Sequence, residues 1–313
     1  MLKLIFFSLK LYKTLQISYS MNVLGLGVAT LDLIVQTDAL PPLNGKISAQ
    51  YYSVHPGGNC ANTLVALARL GVATSIVTKI SNHLFGHYLL SLLGAENVST
   101  LHVQRESDQP SISLVTLVGD NRSIMSCSPF DTSGTVSLEN VTLDGADLLY
   151  LDGRFVQSAR ILAQEAHKRK IPVVLDAEKI KKLHAEDLLS YATIVITPEN
   201  YHEDTTDQTL HTNLDFILAQ GPQIVITTLG SQGSVCKTAD HYLRTSAQHT
   251  QVKDTTGAGD AFIGGFIYAY LSHPEWNLQK KLCFASAVAS HKCQYRGAQT
   301  GLPRKADLPE FFR

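Results

Sequence analysis

The stretch DTTGAGDAFIGGF, residues 254–266, decides how the rest of the chain is read. Gly257 and Gly259 flank Ala258, so the backbone there carries almost no side-chain bulk, and the apolar run from Ala261 to Leu271 that follows has helical spacing. A small-residue turn that opens a helix offers unpaired N–H groups and the positive end of the helix dipole to an anion. Gly257, Ala258 and Gly259 are the expected donors of this anion hole. Asp260 falls in the first turn of the same helix. An acid there stabilises a helix start, but beside a bound phosphoryl group it is also placed to take a proton from an attacking hydroxyl. Gly264 and Gly265 inside the helix each cost about 1 kcal/mol relative to alanine, which implies that something approaches that face closely.

Working outward, short β-branched runs alternate with longer helical patterns. Strands are expected at Val23–Val28, Ser75–Ile80, Ile112–Val118, Leu148–Asp152, Pro172–Asp176, Thr193–Thr197 and Ile224–Thr228, and helices at Asn59–Leu70, Leu84–Leu93, Ser158–Lys170 and Thr209–Ala219. Such alternation means βαβ units, a mostly parallel sheet and helices on both faces. Residues 33–55 and roughly 103–125 break the pattern with extended, polar-alternating stretches and no helix between strands. They suit a small β lid on an α/β three-layer sandwich formed by residues 21–313.

Composition bounds the functions. The chain has 313 residues, 44% hydrophobic and 17% charged, which is the profile of a folded globular protein. A net charge of -1 removes any general electrostatic case for nucleic acid or an anionic membrane surface. Five scattered cysteines with no CxxC pair suit free thiols in a reducing, cytoplasmic setting. Residues 1–20 carry three lysines, no acid and apolar runs too short to span a bilayer, so they read as a disordered extension or a weak organelle-targeting segment.

DTTGAGDAF and GGNCANTLVALARLG, residues 57–71, resemble the C-terminal and N-terminal signatures of the ribokinase-like (PfkB) carbohydrate kinase family, in the right order and about two hundred residues apart. The resemblance runs from Met21 to Pro303. It implies the ribokinase-like fold and an ATP-dependent kinase acting on a primary hydroxyl of a small sugar of the ribose or ketohexose type, with a nucleoside such as adenosine as the alternative acceptor. A catalytically silent scaffold is a further alternative, which the intact Asp260 disfavours. By similarity Asp260 is the general base, and Asp32, Gly58, Asn59, Asn62 and Arg122 bind the acceptor. Thr228, Gly230 and Gly233, in VITTLGSQG after a strand, resemble the ATP-binding turn. Asn200 and Glu203 have the spacing of the family's NxxE motif, which implies Mg²⁺ held through water. Asp254 and Thr256, together with the loop from Arg296, resemble a K⁺ site. Exposed lid strands leave a homodimer through the lid open. A purine acceptor needs an apolar slot, for which Tyr51, Tyr52 and Phe130 are the candidates. SNHLFG, residues 81–86, departs from the family's Gly-Asp-Asp before Phe-Gly, which bears on acceptor identity rather than on phosphate chemistry.

Overall fold

The computed structural model describes residues 21–119, 121–202 and 206–312. Its elements, in chain order, are strands β1 (Asn22–Leu26), β2 (Thr30–Thr37) and β3 (Tyr51–Gly57), helix α1 (Asn59–Arg69), β4 (Ala73–Ile80), α2 (Leu84–Ala95), β5 (Val98–Arg105), β6 (Ile112–Val118), β7 (Asn121–Cys127), β8 (Leu148–Leu151), α3 (Val156–Lys168), β9 (Val173–Asp176), β10 (Ile194–Pro198), α4 (Asp207–Leu218), β11 (Ile224–Thr228), β12 (Ser234–Lys237), β13 (Tyr242–Thr245), α5 (Ala258–Ser272) and α6 (Leu278–Lys292).

Nine strands form the large sheet in the order β13-β12-β11-β10-β9-β8-β1-β4-β5. All neighbours pair in parallel except β11 with β12 and β12 with β13. Alternation along β1 shows why its run is apolar throughout: Val23 points into the core shared with α1, α2, α5 and α6, and Leu24 into the core shared with α3 and α4. Burial on both faces is what a parallel sheet demands. Gly25 lets α1 lie against the sheet, since a Cβ there would stand 2.7 Å from Leu64 Cδ1.

The second sheet has four strands in the order β3-β2-β6-β7 and collects the expected lid. Its boundaries differ in two places from those read off the sequence. Residues 103–105 end β5, the edge strand of the large sheet, and within 33–55 the residues from 38 to 50 carry no strand. Ile112–Val118 is a strand as expected, but it pairs with β2 in the lid.

Helix α5 is apolar all round because it is enclosed between α1 and α6. A Cβ on Gly264 would lie 2.7 Å from Ala66 Cβ, and one on Gly265 would lie 3.0 Å from Ala285 Cα. The two glycines therefore bring α5 close to both neighbours, the close approach their helix-breaking cost implied. Among the described residues no helix is long and apolar enough to cross a membrane.

Candidate active site

A cleft of about 810 Å³ opens beyond the carboxyl ends of β1, β8, β9, β10 and β11, roofed by the small sheet. Connections run outward from β1 on one side and from β8 on the other, so the cleft lies at the switch point where open α/β sheets bind ligands.

Asp260 stands on the first turn of α5, lines this cleft and is only 8% exposed. Asn62 Nδ2 donates to its Oδ2 at 2.7 Å, and Gln299 Nε2 donates to Asn62 Oδ1 at 2.9 Å, which fixes the amide's orientation. Desolvation pushes the Asp260 carboxyl up to about 8, and the charges of Asp176 and Glu178 add to that, while the Asn62 hydrogen bond and Arg154 hold it down. A carboxylate so destabilised is a competent proton acceptor near neutral pH.

The turn before Asp260 behaves as its composition suggests, with one correction. Gly257 has φ 76°, a left-handed conformation, and a Cβ there would meet Ala298 Cβ at 2.9 Å. Gly259 has nothing within 4 Å of a built Cβ, so its face is open. Ala258 N–H, however, donates to Thr255 O at 3.1 Å. Ala258 is therefore not a free donor of the anion hole. The amides of Gly257, Gly259 and Asp260 have no acceptor among the described residues and are the available ones.

On the opposite wall, Asp32 projects from β2, 7% exposed, with Thr30 Oγ1 donating to its Oδ1 at 3.3 Å. Burial raises its carboxyl and the Ser113 and Thr30 hydroxyls lower it. Gly57 makes room for it: a Cβ there would fall 2.3 Å from Asp32 Oδ2. Gly58 caps α1 with φ 95° and without a side-chain bond, packed so tightly that a Cβ would lie 2.5 Å from Val28 O. Asn59 and Asn62 both line the cleft, but they face different acids. Asn59 Nδ2 reaches Glu178 Oε2 at 2.9 Å and Asp176 Oδ2 at 3.3 Å, whereas Asn62 serves Asp260.

Of the expected nucleotide residues, Thr228 lines the cleft at the end of β11. Gly230 and Gly233 are not part of its wall. Gly233 closes the β11–β12 turn, accepting from Leu229 N at 2.7 Å, with φ 91° and a Cβ position only 1.9 Å from Thr245 O. Its geometry shapes the turn. Asn200 lines the cleft after β10, and Glu203 lies outside the described residues.

Asp254 and Thr256 brace the turn from beneath. Asp254 Oδ1 accepts from Thr256 N (2.8 Å) and Thr256 Oγ1 (2.7 Å), and Oδ2 accepts from Gly297 N (2.8 Å). The Asp254 carbonyl, expected as a potassium ligand, accepts instead from the ammonium of Lys292 at 2.8 Å. Arg122 reaches down from β7, lines the cleft and donates Nη1 to Thr256 Oγ1 at 2.7 Å, while its charge helps to lower the Asp32 carboxyl.

Four charged groups were not singled out in the sequence. Asp152 follows β8 and Asp176 ends β9, both buried, with Arg154 Nη1 3.6 Å from Asp152 Oδ2 and Arg154 Nη2 3.6 Å from Glu178 Oε2. Desolvation first, then the Glu178 charge, takes the Asp176 carboxyl up to about 7. Gly27 makes room for Asp152, since a Cβ would stand 2.1 Å from its Cγ. The available signal was position: an acid directly after a parallel strand faces the ligand end of the sheet. Of the three residues considered for a purine slot, Phe130 lines the cleft and Tyr51 and Tyr52 do not.

Comparison with known proteins accords with this geometry. The pattern described as pfkB family carbohydrate kinase matches residues 21–305. The chain is 24% identical over 296 residues to a ribokinase of Bacillus subtilis, covering 93% of this chain and 99% of that one. It is 27% identical over 312 residues to a bifunctional ribokinase/ribose-5-phosphate isomerase A of Fructilactobacillus sanfranciscensis, covering 91% of this chain but just over half (55%) of that longer protein. The solved structure of Arabidopsis thaliana ribokinase complexed with ribose and ATP superposes with a TM-score of 0.81 at 23% identity, covering 94% of this chain and 99% of that one, which shows the shared fold.

Proposed function

The chain belongs to the pfkB family of carbohydrate kinases, and from that membership we propose that it transfers the γ-phosphoryl group of ATP to a primary hydroxyl of a small sugar of the ribose or ketohexose type. The observation that carries this reading is the Asn62–Asp260 pair at the mouth of three unspent amides, facing Asp32 across one cleft.

Asp32, with two carboxylate oxygens, suits a pair of sugar hydroxyls, and Asn59 and Asn62 add amide groups beside it. The acceptor oxygen forms its bond to the γ-phosphorus as the bond to the ADP oxygen breaks, and the hydroxyl proton passes to Asp260. The amides of Gly257, Gly259 and Asp260 receive the charge on the transferring group. Asn200, with Glu203, is the proposed anchor for Mg²⁺ through its waters. Such an ion is carried chiefly by phosphates and water. Magnesium supplies charge neutralisation on the ATP phosphates when bound. Thr228 stands near them. A monovalent cation under the turn would have to compete with the Lys292 ammonium for the Asp254 carbonyl.

A nucleoside acceptor is less well served, since only Phe130 of the apolar candidates faces the cleft. The edges of the small sheet, β3 and β7, expose Tyr52 and Met125, and we read them as the homodimer contact. Free cysteines and a near-zero net charge fit a cytoplasmic enzyme without nucleic acid or membrane partners.

The test is ATP consumption across ribose, fructose, other ketoses, sugar phosphates and adenosine, with Asp260→Asn as control. Turnover with a free sugar that the control lacks is the expected result. Stimulation by adenosine alone would replace the sugar with a nucleoside, and no stimulation by any acceptor would defeat the proposal.

A further inference from the structure

We propose that the ammonium of Lys292 is the built-in cation of the phosphate turn, doing what a bound monovalent metal ion would do, so that the enzyme works without added potassium. The inference rests on the kinase reading above.

Lys292 is the last residue of α6 and is 0% exposed. Burying an ammonium in protein is costly unless it is paired and hydrogen-bonded, so its placement calls for a function. Its single recorded acceptor is Asp254 O, at 2.8 Å, and its remaining N–H groups have no acceptor among the described residues. Desolvation pulls the ammonium below its ordinary value, and the Asp254 charge opposes that.

Asp254 is the joint on which the site turns. One carboxylate oxygen holds Thr256 at the start of the phosphate turn and the other holds Gly297. Ala298, next to Gly297, is packed against Gly257. The site thus asks an aspartate to sit directly beneath amides meant for an anion. Uncompensated, that negative charge would repel the incoming phosphate; Arg122 offsets it from the roof through Thr256, and a cation beneath the turn offsets it from within. Lys292 provides that cation from a fixed tether. A metal ion liganded by Asp254 O would place a second cation on the oxygen that the ammonium already contacts, which like-charge repulsion disfavours. The residues present therefore do not fit the potassium site that the sequence resemblance implied. Lys292 does not line the cleft, so it is a positioning residue.

The experiment compares wild type, Lys292→Ala and Lys292→Met in buffers whose only monovalent cation is potassium, sodium, ammonium or tetramethylammonium. Wild-type kcat should agree within about twofold in all four, while Lys292→Ala should lose roughly 10-fold or more in tetramethylammonium. Potassium or ammonium, entering the space vacated in Lys292→Ala, should restore most of that loss. Lys292→Met fills the space without charge and should stay impaired in every buffer. A purely structural lysine would lower the melting temperature of both variants with no dependence on the cation. Several-fold activation of wild type by potassium would overturn the inference, as would full activity of Lys292→Ala in tetramethylammonium. Melting temperatures read the same site without turnover: potassium should raise that of Lys292→Ala and leave wild type unchanged. An equal rise in wild type would overturn the inference even if no acceptor sugar were found, whereas absent turnover with the expected melting pattern would sink only the kinase reading.

Discussion

Asn62 and Asp260 lie 198 positions apart in sequence and 2.7 Å apart in space, the amide Nδ2 donating to the carboxylate Oδ2. The bond favours the ionised form of a group that desolvation and two neighbouring acids drive toward neutrality. Asn62→Ala should therefore move the acidic, rising limb of the pH profile to higher pH and lower kcat at neutral pH. A variant with an unchanged pH profile would show that the bond does not tune the base.

The Asp260 carboxyl, ordinarily near 3.8, is raised to about 8 in the folded protein. A base works when deprotonated, so kcat/KM should climb with pH up to and through about 8. The folded state holds this proton more tightly than the unfolded chain does. The stabilisation is full below the ordinary value and is lost as pH rises through the folded one. Asp260→Asn, which cannot ionise, should accordingly melt progressively higher than wild type as pH increases toward 9. Melting curves at several pH values check the sign, and a gap that shrinks with rising pH would contradict it.

Two glycines of one turn should fail in different ways. Gly257→Ala forces a left-handed φ on a residue with a side chain, about 1–2 kcal/mol before any clash, and pushes its methyl into Ala298. It should lower stability. Gly259→Ala meets nothing within 4 Å, so melting should hold while the methyl intrudes where phosphate is expected and kcat falls by about 10²-fold. Thermal melts and kinetics on the two variants separate the cases.

Asp32→Asn keeps size and removes charge. Losing charged hydrogen bonds of about 1.5–3 kcal/mol should raise the sugar KM by roughly 10- to 100-fold and leave nucleotide affinity nearly unchanged. Gly57→Ala should give the same phenotype indirectly, because its methyl would displace the Asp32 carboxylate. Titration with ADP alongside sugar kinetics distinguishes this from general unfolding.

Much of this was legible from residue order. The parallel strands from β8 to β11 are unbroken apolar runs whose ends fall within two residues of expectation, and the glycine turn with Asp260 announced itself by composition. The misses have physical causes. β12 (SVCK) and β13 (YLRT) are as short as β8 and β9 but half polar, so no apolar run marks them. The helix α6 interleaves buried Leu282, Phe284 and Val288 with lysines and serines, which blurs its pattern. At the site, Asp152, Asp176, Glu178 and Arg154 come from the ends of two separate strands and the loops after them, and their meeting depends on strand order, which no local spacing encodes. The amide of Ala258 looked free because a one-dimensional string does not show that Thr255 O curls back onto it. Lys292 sits at the end of α6, 38 positions from Asp254, and only the fold brings its ammonium to the Asp254 carbonyl.

Arg122 fastens the roof of the cleft to Thr256 by one exposed hydrogen bond to an uncharged hydroxyl. Such a bond contributes only about 1–2 kcal/mol. Other weak contacts lie beside it, His55 of β3 approaching Thr300 Oγ1 and Tyr51 lying under the Arg296 guanidinium, so the roof rests on a seam of small attractions rather than on a single latch.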